Sequence, residues 1–194
     1  LAAVRATPRQ AIRMPAISSM TIIPGSLVPM RFSALWATHT ANPQKIYDTV
    51  KMAKRLLPEG THVRLHTQET AGLSVAQNLA ALDAGADGID AAASPVSGGT
   101  SQPDILVMMH AIKGKNYDFG FDFEKVLKYE STLKECLHDY FIPPEATMVE
   151  PLIQFSPMPG GALTANTQMM RDNGILDRYP EVIANMAEVV RLGG

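Results

Sequence analysis

Two polar segments of this sequence carry side chains suited to acid–base chemistry or to ligand binding. The first is His66-Thr67-Gln68-Glu69-Thr70, and the second is Ser94-Pro95-Val96-Ser97-Gly98-Gly99-Thr100-Ser101-Gln102-Pro103. An imidazole binds metals or moves protons near neutral pH. A threonine hydroxyl both donates and accepts a hydrogen bond, so it can pass a proton between two positioned partners. The two segments are therefore the places where chemistry is expected.

The first segment follows a short predicted strand, residues 63–66, and continues it in an extended conformation. Residues two apart on a strand point to the same face, so His66 and Gln68 are expected to share one. Two histidines at these places would make a metal pair, but here the second is a glutamine. Its amide oxygen is a weak ligand for zinc and suits harder cations better. Alternatively, His66 is a structural residue held by hydrogen bonds.

The second segment follows another predicted strand, residues 88–93, and leads into a predicted helix, residues 102–113. Free N–H groups at a helix start attract anions, and Thr100 could hold a carboxylate or phosphate or relay a proton. Serine, threonine and glycine also form ordinary helix caps and turns, and this interpretation stays open. Glu69 and Asp90 lie near the ends of the two strands, either as supports of a site or as plain hydrogen-bond partners.

The order of elements that must position these segments is helix, strand, helix, strand, helix, with short loops. Asn42-Pro43 predicts the first helix start, and Gly85 the end of the helix over residues 74–84. Alternating strands and helices predict parallel βαβ units. Beyond residue 116 we predict helices over residues 123–140, 163–172 and 180–192, with a proline-rich loop over residues 142–161. Two strands cannot close a barrel, so more strands are needed from elsewhere.

The first forty residues differ in character from the rest. No acidic residue precedes Asp48, while Arg5, Arg9 and Arg13 recur every four residues. An arginine-rich, acid-free start is typical of a transit peptide. The second interpretation, which we favour, is a segment that is not native to the following domain. The predicted division is therefore an atypical segment over residues 1–40, the βα units over residues 41–115 and a helical region over residues 116–194.

Composition narrows the function classes. The net charge of −2 gives no electrostatic basis for nucleic acid as a partner. The single cysteine, Cys136, excludes an internal disulfide and is consistent with a reducing cytoplasm. The longest apolar run is shorter than the roughly 18 residues that a membrane-spanning helix needs.

The two polar segments, in this order, resemble the carboxyltransferase domain shared by pyruvate carboxylase and the α subunit of oxaloacetate decarboxylase. His66-Thr67-Gln68-Glu69-Thr70-Ala71-Gly72 resembles that family's His-Thr-His-(Asp/Glu)-Thr-Ala-Gly, and Ser97 to Pro103 resembles its Ser-Gly-x-Thr-Ser-Gln-Pro. Pro157-Met158-Pro159-Gly160-Gly161 and Gly174-Ile175-Leu176-Asp177 are similar to the region that follows the family's barrel. The resemblance covers residues 41–194.

The resemblance implies a fold and a metal site. The fold would be α/β, the last strands of a TIM (β/α)8 barrel followed by a helical C-terminal extension. The family's divalent metal, zinc or manganese, is held by an aspartate, a carbamylated lysine and two histidines. Only His66 matches one of these ligands, since Gln68 stands in place of the second histidine and the lysine's place falls near Leu35.

The resemblance also implies a reaction and partners. The reaction is biotin-dependent carboxyl transfer between carboxybiotin and pyruvate to form oxaloacetate, or the reverse decarboxylation. Thr100 occupies the catalytic position, and Ser101 and Gln102 would line the substrate and biotin pocket. Biotin would arrive on a biotinyl carrier domain, since no Ala-Met-Lys-Met occurs here, and a biotin carboxylase subunit and oligomerisation are further expectations. Soluble carboxylases and membrane-linked, sodium-pumping decarboxylases share this domain.

Because three of four metal ligands are missing, we expect impaired activity. The alternative is a non-catalytic remnant or an assembly subunit of a biotin-dependent carboxylase complex.

Overall fold

A computed structural model describes residues 2–5, 32–36, 41–151, 153 and 160–193. The four strands are β1 (Ala2–Arg5), β2 (Phe32–Trp36), β3 (His62–His66) and β4 (Gly88–Ala91). The helices are α1 (Pro43–Leu56), α2 (Ser74–Asp83), α3 (Ile105–Ala111), α4 (Phe123–Cys136), α5 (Pro144–Thr147), α6 (Gly160–Asp172) and α7 (Tyr179–Gly193). Short 3₁₀ helices cover Glu69–Ala71 and Leu176–Arg178.

The strands form one sheet in the order β1-β4-β3-β2. β2, β3 and β4 are parallel, as the alternation of helices and strands predicts, whereas β1 pairs with β4 in the antiparallel sense. The sequence predicted two strands, and the sheet has two more because β1 and β2 arise within residues 1–40, where no strand was predicted. All neighbouring strands of a TIM barrel are parallel. Because β1 is antiparallel to β4, the described strands form a small mixed sheet with helices rather than the all-parallel sheet of a barrel.

The start of α1 is defined by its sequence. The side chain of Asn42 accepts a hydrogen bond from the backbone N–H of Lys45 at 2.8 Å, and Pro43 occupies the first turn. Near the other end of α1, Lys54 Nζ lies 2.8 Å from Oδ2 of Asp87, which also accepts from the N–H of Val63. These contacts join α1 to β3 and to the start of β4.

The main core lies between the sheet and the helices around it. Along β3 the side chains alternate, with Val63 and Leu65 almost fully buried and His62, Arg64 and His66 half-buried. This period of two places the apolar residues on one face and the polar residues on the other. The buried apolar cluster also contains residues of β4 and of α1 to α4, among them Ile46, Val50, Leu82, Ile89, Met108 and Val126.

A second, smaller cluster holds the C-terminal helices. It consists of Ala71, Ile153, Leu163 and Ile183, and it joins the 3₁₀ helix after β3 to α6 and α7. The predicted loop over residues 142–161 is wrong in part, because α5 forms within it and α6 begins at Gly160. The tripeptide Pro157-Met158-Pro159 of the resemblance lies outside the described residues.

The third predicted helix begins later than its expected start at residue 102. α3 starts at Ile105 because Asp104 caps it, with Oδ1 2.8 Å from the N–H of Leu106. Asp104 also forms a parallel β-bridge with Ala92. Among the described residues, none of the helices has the length and apolar character of a membrane span.

Candidate active site

His66 ends β3, and its imidazole is held by Asp90 from the neighbouring strand β4. Nδ1 of His66 lies 2.7 Å from Oδ2 of Asp90, and Oδ1 of Asp90 lies 3.5 Å from Nη1 of Arg64. Asp90 is only 8% exposed, and a buried carboxylate is costly unless partners such as these two compensate for its lost hydration. A carboxylate on one ring nitrogen fixes the tautomer and orientation of the imidazole. Asp90 therefore contacts His66 directly, and its role as the support of a functional site stays a prediction.

The other ring nitrogen of His66 faces the second polar segment. Nε2 of His66 lies 3.3 Å from Nε2 of Gln102, which is buried at 5% exposure. With Asp90 accepting from Nδ1–H, Nε2 is the acceptor for the Gln102 amide group. The structure thus brings together His66, at the end of β3, and Gln102, in the turn that follows β4, as expected for segments that follow adjacent parallel strands.

The backbone joins the two segments as well. The N–H of Glu69 donates to the carbonyl of Ser101 at 2.8 Å. Within the second segment, the N–H of Ser101 donates to Gly98 O and the N–H of Gly98 donates to Gln102 O, both at 2.8 Å. The hydroxyl of Ser101 lies 3.3 Å from Oε1 of Gln102. The segment is therefore a closed turn with little freedom, rather than a loose loop.

Thr100 lies at the tip of this turn, where the C-terminal region contacts it. Its N–H donates to the carbonyl of Ala146 at 3.1 Å, and its hydroxyl lies 3.4 Å from the same oxygen. The hydroxyl of Thr164, in α6, donates to the hydroxyl of Thr100 at 2.7 Å. Neither Ala146 nor Thr164 was singled out from the sequence. No spacing pattern links residues 46 and 64 positions apart, so only the folded chain reveals them.

The close approach of α5 depends on Gly99. Its φ of +48° is a conformation that favours glycine, and an added Cβ would lie 2.5 Å from the carbonyl oxygen of Ala146. Any other residue would push the turn and α5 apart. Gly99 is thus needed for packing, whether or not an anion binds at the Gly98-Gly99 pair.

Glu69 acts locally rather than in the site. Its carboxylate accepts from the hydroxyl of Ser74 and from the backbone N–H groups of Ser74 and Val75 at the start of α2. Burial raises the pKa of Glu69, and the two backbone hydrogen bonds oppose that rise only in part. Glu69 is therefore the plain hydrogen-bond partner that the sequence left as an alternative.

The residues expected to hold a metal do not make a complete site. Gln68 continues the extended backbone of β3, with φ −110° and ψ 150°, and is half-buried like His66. Within the part of the chain that the structure describes, no three His, Cys, Asp or Glu side chains are grouped closely enough to hold a metal ion. The donors present here therefore do not fit a tightly bound zinc or manganese ion. The assignment of His66 and Gln68 as ligands stays a prediction.

A cavity of about 340 Å³ lies apart from these residues, beside α5, α6 and α7. Glu145, Leu163 and Tyr179 are among its lining residues, and neither His66 nor Thr100 is. This cavity is therefore separate from the residues that the sequence predicts for the site. The hydrogen-bonded contacts of His66, Gln102 and Thr100 define the candidate site instead.

Comparison with known proteins points to one family. A family described as a conserved carboxylase domain matches residues 153–194. A pyruvate carboxylase subunit of Methanocaldococcus jannaschii is 30% identical over 146 residues, which are 74% of this chain and 26% of that protein. The carboxyl transferase domain of Rhizobium etli pyruvate carboxylase, solved with pyruvate, superposes with a TM-score of 0.71 at 25% identity, over 81% of this chain and 27% of that one.

The chain is related to the C-terminal part of the pyruvate carboxylase carboxyltransferase domain. The methylmalonyl-CoA carboxyltransferase 5S subunit of Propionibacterium freudenreichii is also similar, at 28% identity over 152 residues, which are 78% of this chain and 30% of that protein. The chain spans about a quarter of the length of the two pyruvate carboxylase B subunits that it matches. The resemblance read from the two polar segments is confirmed, together with its restriction to the later part of the domain.

Proposed function

We propose that this chain carries the later part of a biotin-dependent carboxyltransferase site, which moves a carboxyl group between carboxybiotin and pyruvate. One observation carries the proposal. Gln102 contacts the imidazole of His66, and Thr100 lies two residues from Gln102 in the same closed turn, so the end of β3 and the turn that follows β4 meet at one edge of the sheet. Reactive groups of parallel α/β folds belong at that edge.

Thr100 is the proposed proton relay. Carboxybiotin releases carbon dioxide and leaves a biotin anion, which is the base. The Thr100 hydroxyl gives its proton to that anion while its oxygen takes a proton from the methyl group of pyruvate. The resulting enolate attacks carbon dioxide, and a carbon–carbon bond forms to give oxaloacetate. A relay between two positioned partners avoids a free alkoxide, which a hydroxyl cannot become near neutral pH.

The neighbouring side chains have binding roles in this proposal. Ser101 and Gln102 line the pocket for substrate and biotin, and the Gln102 amide group links the turn to His66. Asp90 holds the His66 ring, so the orientation of His66 survives when Gln102 turns toward a ligand. Because the donors present do not fit a metal, we expect activity to be low.

The wider architecture follows from the same proposal. β2, β3 and β4 would be the last parallel strands of a (β/α)8 barrel, with α6 and α7 in the helical extension. The biotin would be carried on a biotinyl carrier domain and charged by a biotin carboxylase subunit, in a cytoplasmic oligomer. The carboxylase and decarboxylase directions share this chemistry.

The test is oxaloacetate decarboxylation stimulated by free biotin, followed as pyruvate release. We expect a slow rate that rises with biotin and that Thr100→Ala abolishes, because alanine has no proton to pass. Thr100→Ser should keep a measurable part of it. A biotin-stimulated rate that persists undiminished in Thr100→Ala would overturn the relay.

A second candidate is a non-catalytic remnant or assembly subunit of a carboxylase complex. It is favoured by Gln68, which stands where the family has its second histidine ligand. It is also favoured because the described residues contain no cluster of three His, Cys, Asp or Glu side chains that could hold a metal ion. It predicts no biotin-stimulated rate, either in this chain or after Gln68→His, and self-association in solution. This outcome would refute the catalytic proposal and support the non-catalytic one.

A further inference from the structure

We propose that Thr164 is a positioning residue for Thr100, which makes α6 part of the relay rather than an appended helix. This inference rests on the proposed function for its catalytic meaning, but its structural part stands alone. Thr164 donates its hydroxyl proton to the oxygen of Thr100 at 2.7 Å. Nothing in the spacing of the two residues, 64 positions apart, anticipates the contact.

Donation by Thr164 determines what the Thr100 hydroxyl can do. One hydroxyl has a single proton and two acceptor positions. Thr164 fills one acceptor position, so the Thr100 proton stays available and one lone pair stays open. The proton of Thr100 is held only weakly in the structure, by Ala146 O at 3.4 Å. A small rotation about the side-chain bond is enough to turn this proton toward a bound acceptor.

The contact also favours the transfer itself. When Thr100 gives up its proton and takes one from a carbon atom, its oxygen carries partial negative charge in between. A hydrogen bond donated to that oxygen stabilises the charged form more than the neutral form. Thr164 thus acts most strongly in the transition state, which is the behaviour that raises turnover rather than binding.

The position of Thr164 is fixed by residues on both sides of it in α6. Leu163 is 2% exposed in the C-terminal cluster, and Thr167 is buried with its hydroxyl bonded to the carbonyl of Leu163. One turn further, Arg171 binds the carboxylate of Glu145 in α5. α6 is therefore anchored to the same short helix whose carbonyl holds the N–H of Thr100.

The test compares three variants of the full chain. Thr164→Val removes the donor with little change in volume, and Thr164→Ser keeps it. Thr167→Val is the matched control, because it removes another buried hydroxyl of α6 that bonds only within its own helix.

The first readout needs no catalysis. We expect hydrogen exchange of the Thr100 backbone N–H to accelerate by roughly 3- to 10-fold in Thr164→Val. This factor corresponds to the net free energy of one lost hydrogen bond. The Thr100 methyl resonance should shift as its rotamer is released. Both signals should match wild type in Thr164→Ser and Thr167→Val. Unchanged exchange and an unchanged methyl signal in Thr164→Val would overturn the positioning role.

The second readout is the biotin-stimulated rate. Thr164→Val should lower kcat about 10-fold and leave KM for oxaloacetate unchanged, and Thr164→Ser should restore kcat. A wild-type chain without any biotin-stimulated rate would refute the proposed function, while the exchange result would still decide whether Thr164 positions Thr100. A fall in kcat equal in Thr164→Val and Thr167→Val would assign the effect to α6 packing and overturn the specific role.

Discussion

Nδ1 of His66 and Oδ2 of Asp90 lie 2.7 Å apart, across the two adjacent parallel strands β3 and β4. This contact joins the first polar segment to the strand that precedes the second. Asp90 also faces Arg64, so one buried carboxylate serves a ring and a cation on the same face of β3. The candidate site therefore rests on a carboxylate that belongs to neither polar segment.

Replacing Asp90 with alanine should destabilise the fold. The change removes the buried carboxylate that both His66 and Arg64 contact, and such losses cost about 1–3 kcal/mol of unfolding free energy. Urea denaturation measures it. Asp83→Ala is the control, since Asp83 pairs with Lys115 at an exposed position and should cost about 0.2–1 kcal/mol. An equal loss in both variants would contradict the importance of the Asp90 contacts.

Gly99→Ala should cost more than Gly114→Ala. Both glycines have positive φ, +48° and +83°, but a Cβ at Gly99 meets Ala146 O at 2.5 Å while one at Gly114 meets nothing within 4 Å. Backbone strain alone should cost about 1–2 kcal/mol at Gly114, and the collision should add about 1–3 kcal/mol at Gly99. Urea denaturation of the two variants gives the difference. Equal losses would mean that α5 does not pack closely on the turn.

Asp87 should contribute stability that depends on pH. Burial alone would raise the pKa of Asp87, but hydrogen bonds from Lys54 and from the N–H of Val63 lower it below its ordinary value of 3.8. A lowered carboxyl pKa stabilises the folded state above the unfolded pKa, and this contribution disappears as the pH falls through the folded pKa.

The corresponding variant is Asp87→Asn. It should lose about 0.5–1 kcal/mol of unfolding free energy at pH 7, a value reduced by the partial exposure of the Lys54 pair. The difference from wild type should shrink as the pH falls below 3.8. Urea denaturation between pH 7 and 3 tests this. The exposed control Asp139→Asn should stay within about 0.5 kcal/mol of wild type at pH 7. A difference for Asp87→Asn that stays constant with pH would refute the assignment.

Gln68→His should create a metal pair. Residues 66 and 68 are both half-buried on an extended backbone, so a histidine at each place presents two imidazoles on one side. Imidazole is a far better zinc ligand than a carboxamide, and we expect zinc affinity to rise at least about 10-fold. Calorimetric zinc titration of wild type and variant measures the change. His138→Gln, at an exposed histidine, controls for surface binding. Equal zinc affinity in wild type and Gln68→His would contradict the shared orientation.

The elements with strong local signals were predicted well from the sequence. α1 begins where Asn42-Pro43 indicates, β3 and α2 lie within a residue of the expected bounds, and β3 and β4 are parallel. α5 was missed because Pro143 and Pro144 indicate a loop, while a helix of four residues also tolerates proline at its first position. β2 was missed because a strand of five residues gains its stability from a neighbour rather than from its own sequence.

The sequence by itself determined the family and the residue types of the site, because the two polar segments and their order lie within short, continuous stretches. The tertiary structure alone decided which partners those residues have. Asp90 holds His66 and Thr164 donates to Thr100 because strand register and helix packing bring distant positions together. A hydrogen bond requires its two atoms to lie about 3 Å apart in space, but it requires no fixed separation along the chain. A sequence pattern therefore cannot predict these contacts.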